Sequence, residues 1–571
     1  VVFALTIAAY HLWWLVRFRD GQPVDIDEAG YLAIGLNDLA ALRDGGVSGL
    51  WDSVQAQTPH APLVPLLAVP ALAIRAGVVS AFAVELAAMV VLAAATFGMA
   101  RRLVNDRWAF VAMLTVLAAP GVLRYSREFS FALPCTAALA VAFWALLRSD
   151  GMTRRRWAVL AGVAAGCAVL SRTMTIGFLP GLGVAMLIVA STATGRRRRA
   201  LLNVVVAAVA GVAVAALWYW RNLGPVLDYL SGYGYGEQAA EYGESIPITS
   251  PDWWLDELRA ATVQLLFAPL LLTTAAVLGA GLVACVVGFP RSRGGVRDLA
   301  TRFWRHPTFP MLVFLGAGYL ALSSTANSGS AFSMPLLPAF VVLVVAIAAR
   351  LPWRVMRVAA AGALVGVAAF QLLVYAQVVG TLERSRVVEL PLVRSAPTTN
   401  AQVPVFGGLG APYTQTRFRE TDKRWRERIE RIAQLSTDHA AANGRLPVVA
   451  FATRDRLFNP NTLNLITLLA GRPGIPVAQL TTDEGDTAAA YAQALSDPAR
   501  GQPNILVTAD TERGDFEPQV TQAVAVRAAK QLDFRPFAYV RQSNGERLTL
   551  WWFPRGPSIP SAPVGGGDAS R

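Results

Sequence analysis

Asp25, Asp27 and Glu28 place three carboxylates within four positions, directly after the first apolar segment of the chain. Charge beside lipid is costly, so such a cluster faces water or a polar cavity and is a functional candidate by default. Carboxylates so placed can take up or hold a proton, which makes Asp27 and Glu28 catalytic candidates. Asp25-Ile26-Asp27 is also an alternating pair, and two such carboxylates can share one hard divalent cation. The plain alternative for all three is helix capping or a solvated loop. Arg127, Arg172 and Arg221 sit at those ends of apolar spans where the positive-inside rule disfavours cations. Guanidinium grips phosphate in bidentate fashion, so they are candidate phosphate ligands, with snorkelling to headgroups as the alternative. His60, one of four histidines, can bind phosphate or cap a helix. The stretch from Tyr229 to Tyr242, with Tyr233, Tyr235, Glu237 and Glu241, can lay aromatic faces on a sugar or form an interfacial belt.

The elements that must position these residues are membrane helices. The chain has 571 residues, of which 54% are hydrophobic, and its mean hydropathy is +0.42. That composition excludes an ordinary soluble protein and fits a polytopic helical membrane protein. The net charge of +13 sits in runs between apolar spans, such as Arg154 to Arg156 and Arg196 to Arg199. This is the pattern of short cytoplasmic connections, not of a nucleic-acid surface. Cys135, Cys167 and Cys285 lie inside apolar spans without metal-ligand spacing, so neither disulfides nor zinc are indicated. The first segment lacks a small-residue cleavage site and reads as an anchor.

At roughly 20 apolar residues per span, about eleven spans are expected. They fall at about 1–18, 81–102, 107–123, 129–148, 157–172, 174–193, 200–219, 262–289, 308–324, 332–350 and 358–379. Residues 19–80 form a long first outer loop, with Ala61 to Ile74 as a juxtamembrane helix. A second outer loop covers 221–257. With the amino terminus cytoplasmic, all the candidate chemistry faces one outer compartment. After the membrane module (1–380), residues 381–445 read as a linker and amphipathic helix, its stripe formed by Trp425, Ile429, Ile432 and Leu435. Residues 446–556 alternate short β-rich runs with helical patterns and predict an extracytoplasmic α/β domain. No Gly-rich phosphate loop stands at its strand-helix junctions. The tail 557–571, rich in Pro, Gly and Ser, reads as disordered.

Four stretches taken in order carry a resemblance: Asp27-Glu28-Ala29-Gly30-Tyr31, His60-Ala61-Pro62-Leu63, Leu170-Ser171-Arg172 and Trp218-Tyr219-Trp220-Arg221-Asn222. Together they resemble the C-type (GT-C) membrane glycosyltransferases of the protein O-mannosyltransferase and lipid A aminoarabinose transferase branch, over about residues 1–380. The resemblance implies inverting transfer of a sugar from a polyprenyl-phosphate carrier to an acceptor at the outer face. It also implies Asp27 as general base, Tyr31 as the aromatic that follows it, Arg172 as the phosphate-binding cation, and His60 as the basic residue of a Pro-Pro-Leu-like element. The sequence departs from that branch at Gly30, where the aminoarabinose enzymes have Arg, and at Pro59, where they have an acidic residue. Ala132 and Cys135 fall where a further acid is expected.

The expectation is therefore a plasma-membrane glycosyltransferase acting on an envelope glycan, lipid or protein, with mannose or arabinose as natural sugars. No cofactor is expected, the Asp25/Asp27 metal pair remaining the alternative. Substrate contacts fall to Tyr31, Tyr233, Tyr235 and Glu237. Rival readings are a lipid-linked sugar transporter or flippase, which would want paired charges at mid-membrane depth, and a non-catalytic envelope-assembly subunit.

Overall fold

A computed structural model describes residues 2–56, 59–193, 195–236, 249–251, 254–255, 258, 265–288, 304, 306–325, 330–375, 386–396, 399–406, 424–453, 455–480, 485–498, 501–511, 520–542 and 545–555. Glu237, Glu241 and the expected disordered tail lie outside them. The chain divides into two units: Val1–Asp20 with Asn37–Arg417, and Gly21–Leu36 with Phe418–Arg571.

The first unit is a helical membrane module, and the protein is a multi-pass membrane protein. Among the described residues, six helices are long and apolar enough to cross a bilayer: Val78–Ala100, Thr173–Ser191, Arg197–Tyr235, Phe267–Cys285, Ala331–Ala348 and Arg354–Tyr375. Other expected spans coincide with shorter apolar helices, including Ala132–Arg148 and Thr308–Ser323. The span expected at 107–123 is broken into Asp106–Leu117 and Pro120–Tyr125. Ala119, just before the proline, is extended (ψ 133°), as the proline ring disfavours a helical residue ahead of it. Arg197–Tyr235 runs on for 39 residues, roughly 58 Å at 1.5 Å per residue, so the expected second outer loop begins as a continuation of a span.

Small residues weld the centre of this module. The helix Arg155–Ser171 packs on both Ala132–Arg148 and Arg197–Tyr235. A Cβ on Gly162 would run into the Ala207 carbonyl, and one on Gly166 would come 2.6 Å from the Gly211 carbonyl oxygen. Gly162 and Gly166 on one helix thus face Ala207 and Gly211 on the other, a four-residue spacing that lets two backbones touch. An antiparallel hairpin, β1 (Arg386–Ala396) and β2 (Thr399–Phe406), follows the last of these helices.

The first long loop is mostly helical. Its helix Ile26–Ala56 is broken at Gly46, whose φ of +62° is one that side-chain-bearing residues rarely adopt. The chain turns back there, Gly49 lies against the Ala41 carbonyl, and Ser53 Oγ donates to Asp38 Oδ1 at 2.7 Å.

The second unit holds a five-stranded sheet in the order β4-β3-β5-β7-β6, built from β3 (Val449–Phe451), β4 (Val477–Gln479), β5 (Ile505–Ala509), β6 (Arg535–Arg541) and β7 (Arg547–Trp552). β3 pairs in parallel with β4 and β5, and β7 pairs antiparallel with β5 and β6. The central strands are buried and hydrophobic, as strands covered on both faces must be. The amphipathic helix Trp425–Ala442 buries Trp425, Ile429 and Ile432. Gly21–Leu36, with the acidic motif, belongs to this unit.

Candidate active site

The acidic motif opens a helix. Asp25 is its N-cap: Asp25 Oδ1 accepts the Asp27 amide at 3.3 Å, and the Asp25 carbonyl accepts the Ala29 amide at 2.8 Å. This satisfies backbone donors that a helix start leaves without partners, so capping accounts for Asp25. Asp27 is exposed, whereas Asp25, Glu28 and Tyr31 are buried. Within this unit Asn461 Nδ2 donates to the Ile26 carbonyl at 3.0 Å, and Arg456 lies 3.5 Å from Asp25 Oδ2. No group of three or more His, Cys, Asp or Glu able to hold a metal occurs among the described residues.

The cationic candidates separate into one that reaches a cleft and two that do not. Arg172 follows the helix Arg155–Ser171 in extended conformation. Its guanidinium carbon lies 4.4 Å from the Phe131 ring centroid and 5.5 Å from that of Phe332. Those two rings stack at 5.7 Å, and Arg172 Nη2 donates to Tyr229 Oη at 3.3 Å. The glycine-to-backbone weld brings Arg172 and Tyr229 together, because it fixes the register of the helices that carry them. Tyr219 Oη reinforces it by donating to the Val169 carbonyl at 3.3 Å. Arg172, Phe131 and Phe332 line a cleft of about 220 Å³ whose walls are mainly apolar and include Phe178, Leu230 and Tyr235. Tyr235 Oη lies 3.1 Å from Ser324 Oγ, and Tyr233 packs on Tyr229 with centroids 4.8 Å apart. A fixed guanidinium amid aromatic and aliphatic walls suits an anionic group carrying a hydrophobic chain.

His60 keeps solvent access to much of its surface, yet protein atoms crowd the ring. That crowding, and secondly the Arg172 charge, hold its pKa below the ordinary value of 6.5. His60 is therefore neutral at pH 7 and can offer one uncharged N–H.

Arg127 is fully buried elsewhere in the module. Its guanidinium sits 3.9 Å over the Trp14 ring and Nη2 donates to the Tyr375 carbonyl at 2.9 Å, which ties the first helix to the last. Arg221 lies on an exposed helix face with Leu217, Trp220 and Leu227. The buried residues around it act as fasteners: Trp218 Nε1 donates to the Val54 carbonyl at 3.1 Å, Asn222 Nδ2 to the Gln55 carbonyl at 3.3 Å, and Gln55 Nε2 to the Leu217 carbonyl at 2.8 Å. Tyr229, Phe131 and Phe332 were not singled out in the sequence as partners of Arg172; the four-residue spacing of Tyr229 and Tyr233 was the available signal.

With this geometry in view, comparison with known proteins is informative. A family model described as dolichyl-phosphate-mannose-protein mannosyltransferase matches residues 59–220, a stretch that contains His60, Arg172 and the Trp218 fastener. ArnT from Cupriavidus metallidurans in the apo state superposes with a TM-score of 0.57 at 15% identity, covering 96% of this chain and 97% of that one. The fold is that of the C-type glycosyltransferases. The same ArnT bound to undecaprenyl phosphate gives a TM-score of 0.54 at 14% identity, again over 96% and 97% of the two chains. No curated protein matches the chain in sequence. The likeness to ArnT thus covers the C-terminal α/β domain as well as the membrane helices.

Proposed function

We propose that the protein is a membrane glycosyltransferase that moves a sugar from a polyprenyl-phosphate donor to a cell-envelope glycan, lipid or protein. The observation that carries this reading is Arg172, a guanidinium fixed by two aromatic rings and a phenol among the walls of an apolar cleft. The family-model match and the fold shared with a protein solved with undecaprenyl phosphate support it.

The chemistry assigns each half a task. Asp27 takes the proton of the acceptor hydroxyl while its oxygen attacks the anomeric carbon. The bond from that carbon to the phosphate oxygen breaks, its electron pair leaves with the carrier, and the configuration inverts. The donor is a phosphodiester with one negative charge, and the departing polyprenyl phosphate gains a second. Arg172 therefore binds the leaving group more strongly as the reaction proceeds, which is the condition for lowering the barrier. His60, neutral, contributes a hydrogen bond. Glu28 supports Asp27, Tyr233 and Tyr235 offer faces to the sugar, and the buried Tyr31 packs behind the acidic motif. Arg127 and Arg221 are assigned to holding the module and its lipid-facing surface. The placement of the Arg-rich connections supports a reaction at the outer face.

The test is a titration of the full chain in lipid nanodiscs with undecaprenyl phosphate and with uncharged undecaprenol. Tighter binding of the phosphate, with that preference lost in Arg172→Ala, is expected. Equal binding of both lipids by the unsubstituted protein would sink the phosphate reading.

A further inference from the structure

Gly21–Leu36 is grouped with the C-terminal domain, and two side chains of that domain meet the start of the acidic helix. Asn461 Nδ2 donates to the Ile26 carbonyl at 3.0 Å, the carbonyl one residue before Asp27. A Cβ on Gly30 would approach that same Nδ2 to 3.2 Å, so the absent side chain at position 30 admits Asn461. Arg456 pairs with Asp25 at 3.5 Å, with its side chain 48% exposed. An ion pair that open contributes little alone, and the weight rests on Asn461.

The platform that presents these two residues is over-determined. Asp455 Oδ1 accepts the amides of Leu457 and Phe458 at 2.7 and 2.9 Å. Asn459, fully buried, donates from Nδ2 to the carbonyls of Asp455 and Arg456 at 3.1 and 2.8 Å. It also caps the helix Pro460–Leu469 in a reciprocal box with Thr462. Trp425 Nε1 and Thr462 Oγ1 both donate to the Leu457 carbonyl, at 2.8 and 3.0 Å. Buried polar groups are tolerated when all are satisfied, and such a network fixes one geometry. This one fixes the seven residues from Asp455 to Asn461, of which Arg456 and Asn461 touch the acidic helix.

We infer that the C-terminal domain is the holder of the acidic motif, with Asn461, and secondarily Arg456, as positioning residues that set where Asp27 stands. The inference rests on Asp27 as the base for its catalytic consequence, but not for its structural one. A base is effective only when held within a fraction of an ångström of its target. Asn461 touches neither sugar nor phosphate in this account. It acts through the backbone that carries Asp27.

The experiment uses the full chain in nanodiscs and reads two quantities. Hydrogen exchange over residues 27–34 is expected to rise about tenfold or more in Asn461→Ala, as the helix start loses its anchor. Donor transfer by the same variant is expected to lose about tenfold to a hundredfold in kcat, with KM for the donor unchanged. Gly30→Ala, which crowds Asn461 from the other side, reproduces both effects and serves if Asn461→Ala does not fold. Arg456→Lys retains near-normal values where Arg456→Gln falls slightly. Unchanged exchange over 27–34 in Asn461→Ala and Gly30→Ala would overturn the inference. Absence of transfer by the unsubstituted protein would instead remove the glycosyltransferase reading, while the exchange data still decide whether the domain holds the helix.

Discussion

Arg172 and His60 differ in kind although both are basic. The phosphate role proposed for Arg172 depends on shape: a planar fork set against the stacked rings of Phe131 and Phe332 and tied to Tyr229. Arg172→Lys keeps the charge and loses fork and stacking. It is expected to weaken undecaprenyl phosphate binding about tenfold, and Arg172→Ala about a hundredfold, as charge-assisted hydrogen bonds are worth about 1.5–3 kcal/mol. Equal affinities for Lys and Arg would show that charge alone suffices. His60 has its pKa depressed by crowding and by the Arg172 charge, so the unfolded chain binds its proton more readily than the folded one. Its contribution to stability is complete above pH 6.5 and is lost as pH falls below that value toward the lowered folded pKa. Thermal unfolding of His60→Gln is therefore expected to depend less on pH below 6.5 than that of the unsubstituted protein. Parallel curves would place the ring in an unperturbed environment. At this scale the sequence was informative about type and poor about partners. Arg127 and Arg221 have the same chemistry as Arg172, and only packing separates a buried tie, an exposed face and a cleft.

Two of the helices that make the cleft, Arg155–Ser171 and Arg197–Tyr235, are held by close backbone approach. Gly162→Leu or Gly211→Val drives side-chain atoms into the facing helix, and such overpacking costs about 1–3 kcal/mol. Because the same weld sets Arg172 beside Tyr229, either substitution is expected to weaken carrier binding from a position outside the cleft lining. Gly183→Ala is the control: nothing lies within 4 Å of its added Cβ, so thermal stability and binding should hold or improve slightly. Stability lost in Gly162→Leu with carrier binding unaltered would uncouple weld from site. Elements were also the most legible level in the C-terminal domain. The alternation read from Val448 to Phe553 corresponds run by run to β3–β7 and the intervening helices, since each short period-two or helical pattern is decided locally. The first long loop was less legible. Its fold into a broken helix depends on one positive φ at Gly46 and on a hydrogen bond from Ser53 to Asp38.

At the scale of the whole chain, the polytopic helical class and the C-terminal α/β domain followed from hydropathy and charge placement, and the GT-C fold from four short stretches in order. What could not be read was the membership of Gly21–Leu36 in the unit of the C-terminal domain. Asn461 and Ile26 are 435 positions apart, and neither residue type announces the bond. In the proposed reaction Asp27 is the group that accepts the acceptor's proton. Its most direct test is sugar transfer from radiolabelled polyprenyl-phosphate mannose or arabinose to a crude envelope acceptor, comparing the unsubstituted protein with Asp27→Asn at equal amounts of folded protein. Transfer by the former and a loss of about 10²- to 10⁴-fold in the latter are expected, with undecaprenyl phosphate binding unchanged. Transfer by Asp27→Asn at the unsubstituted rate would contradict it.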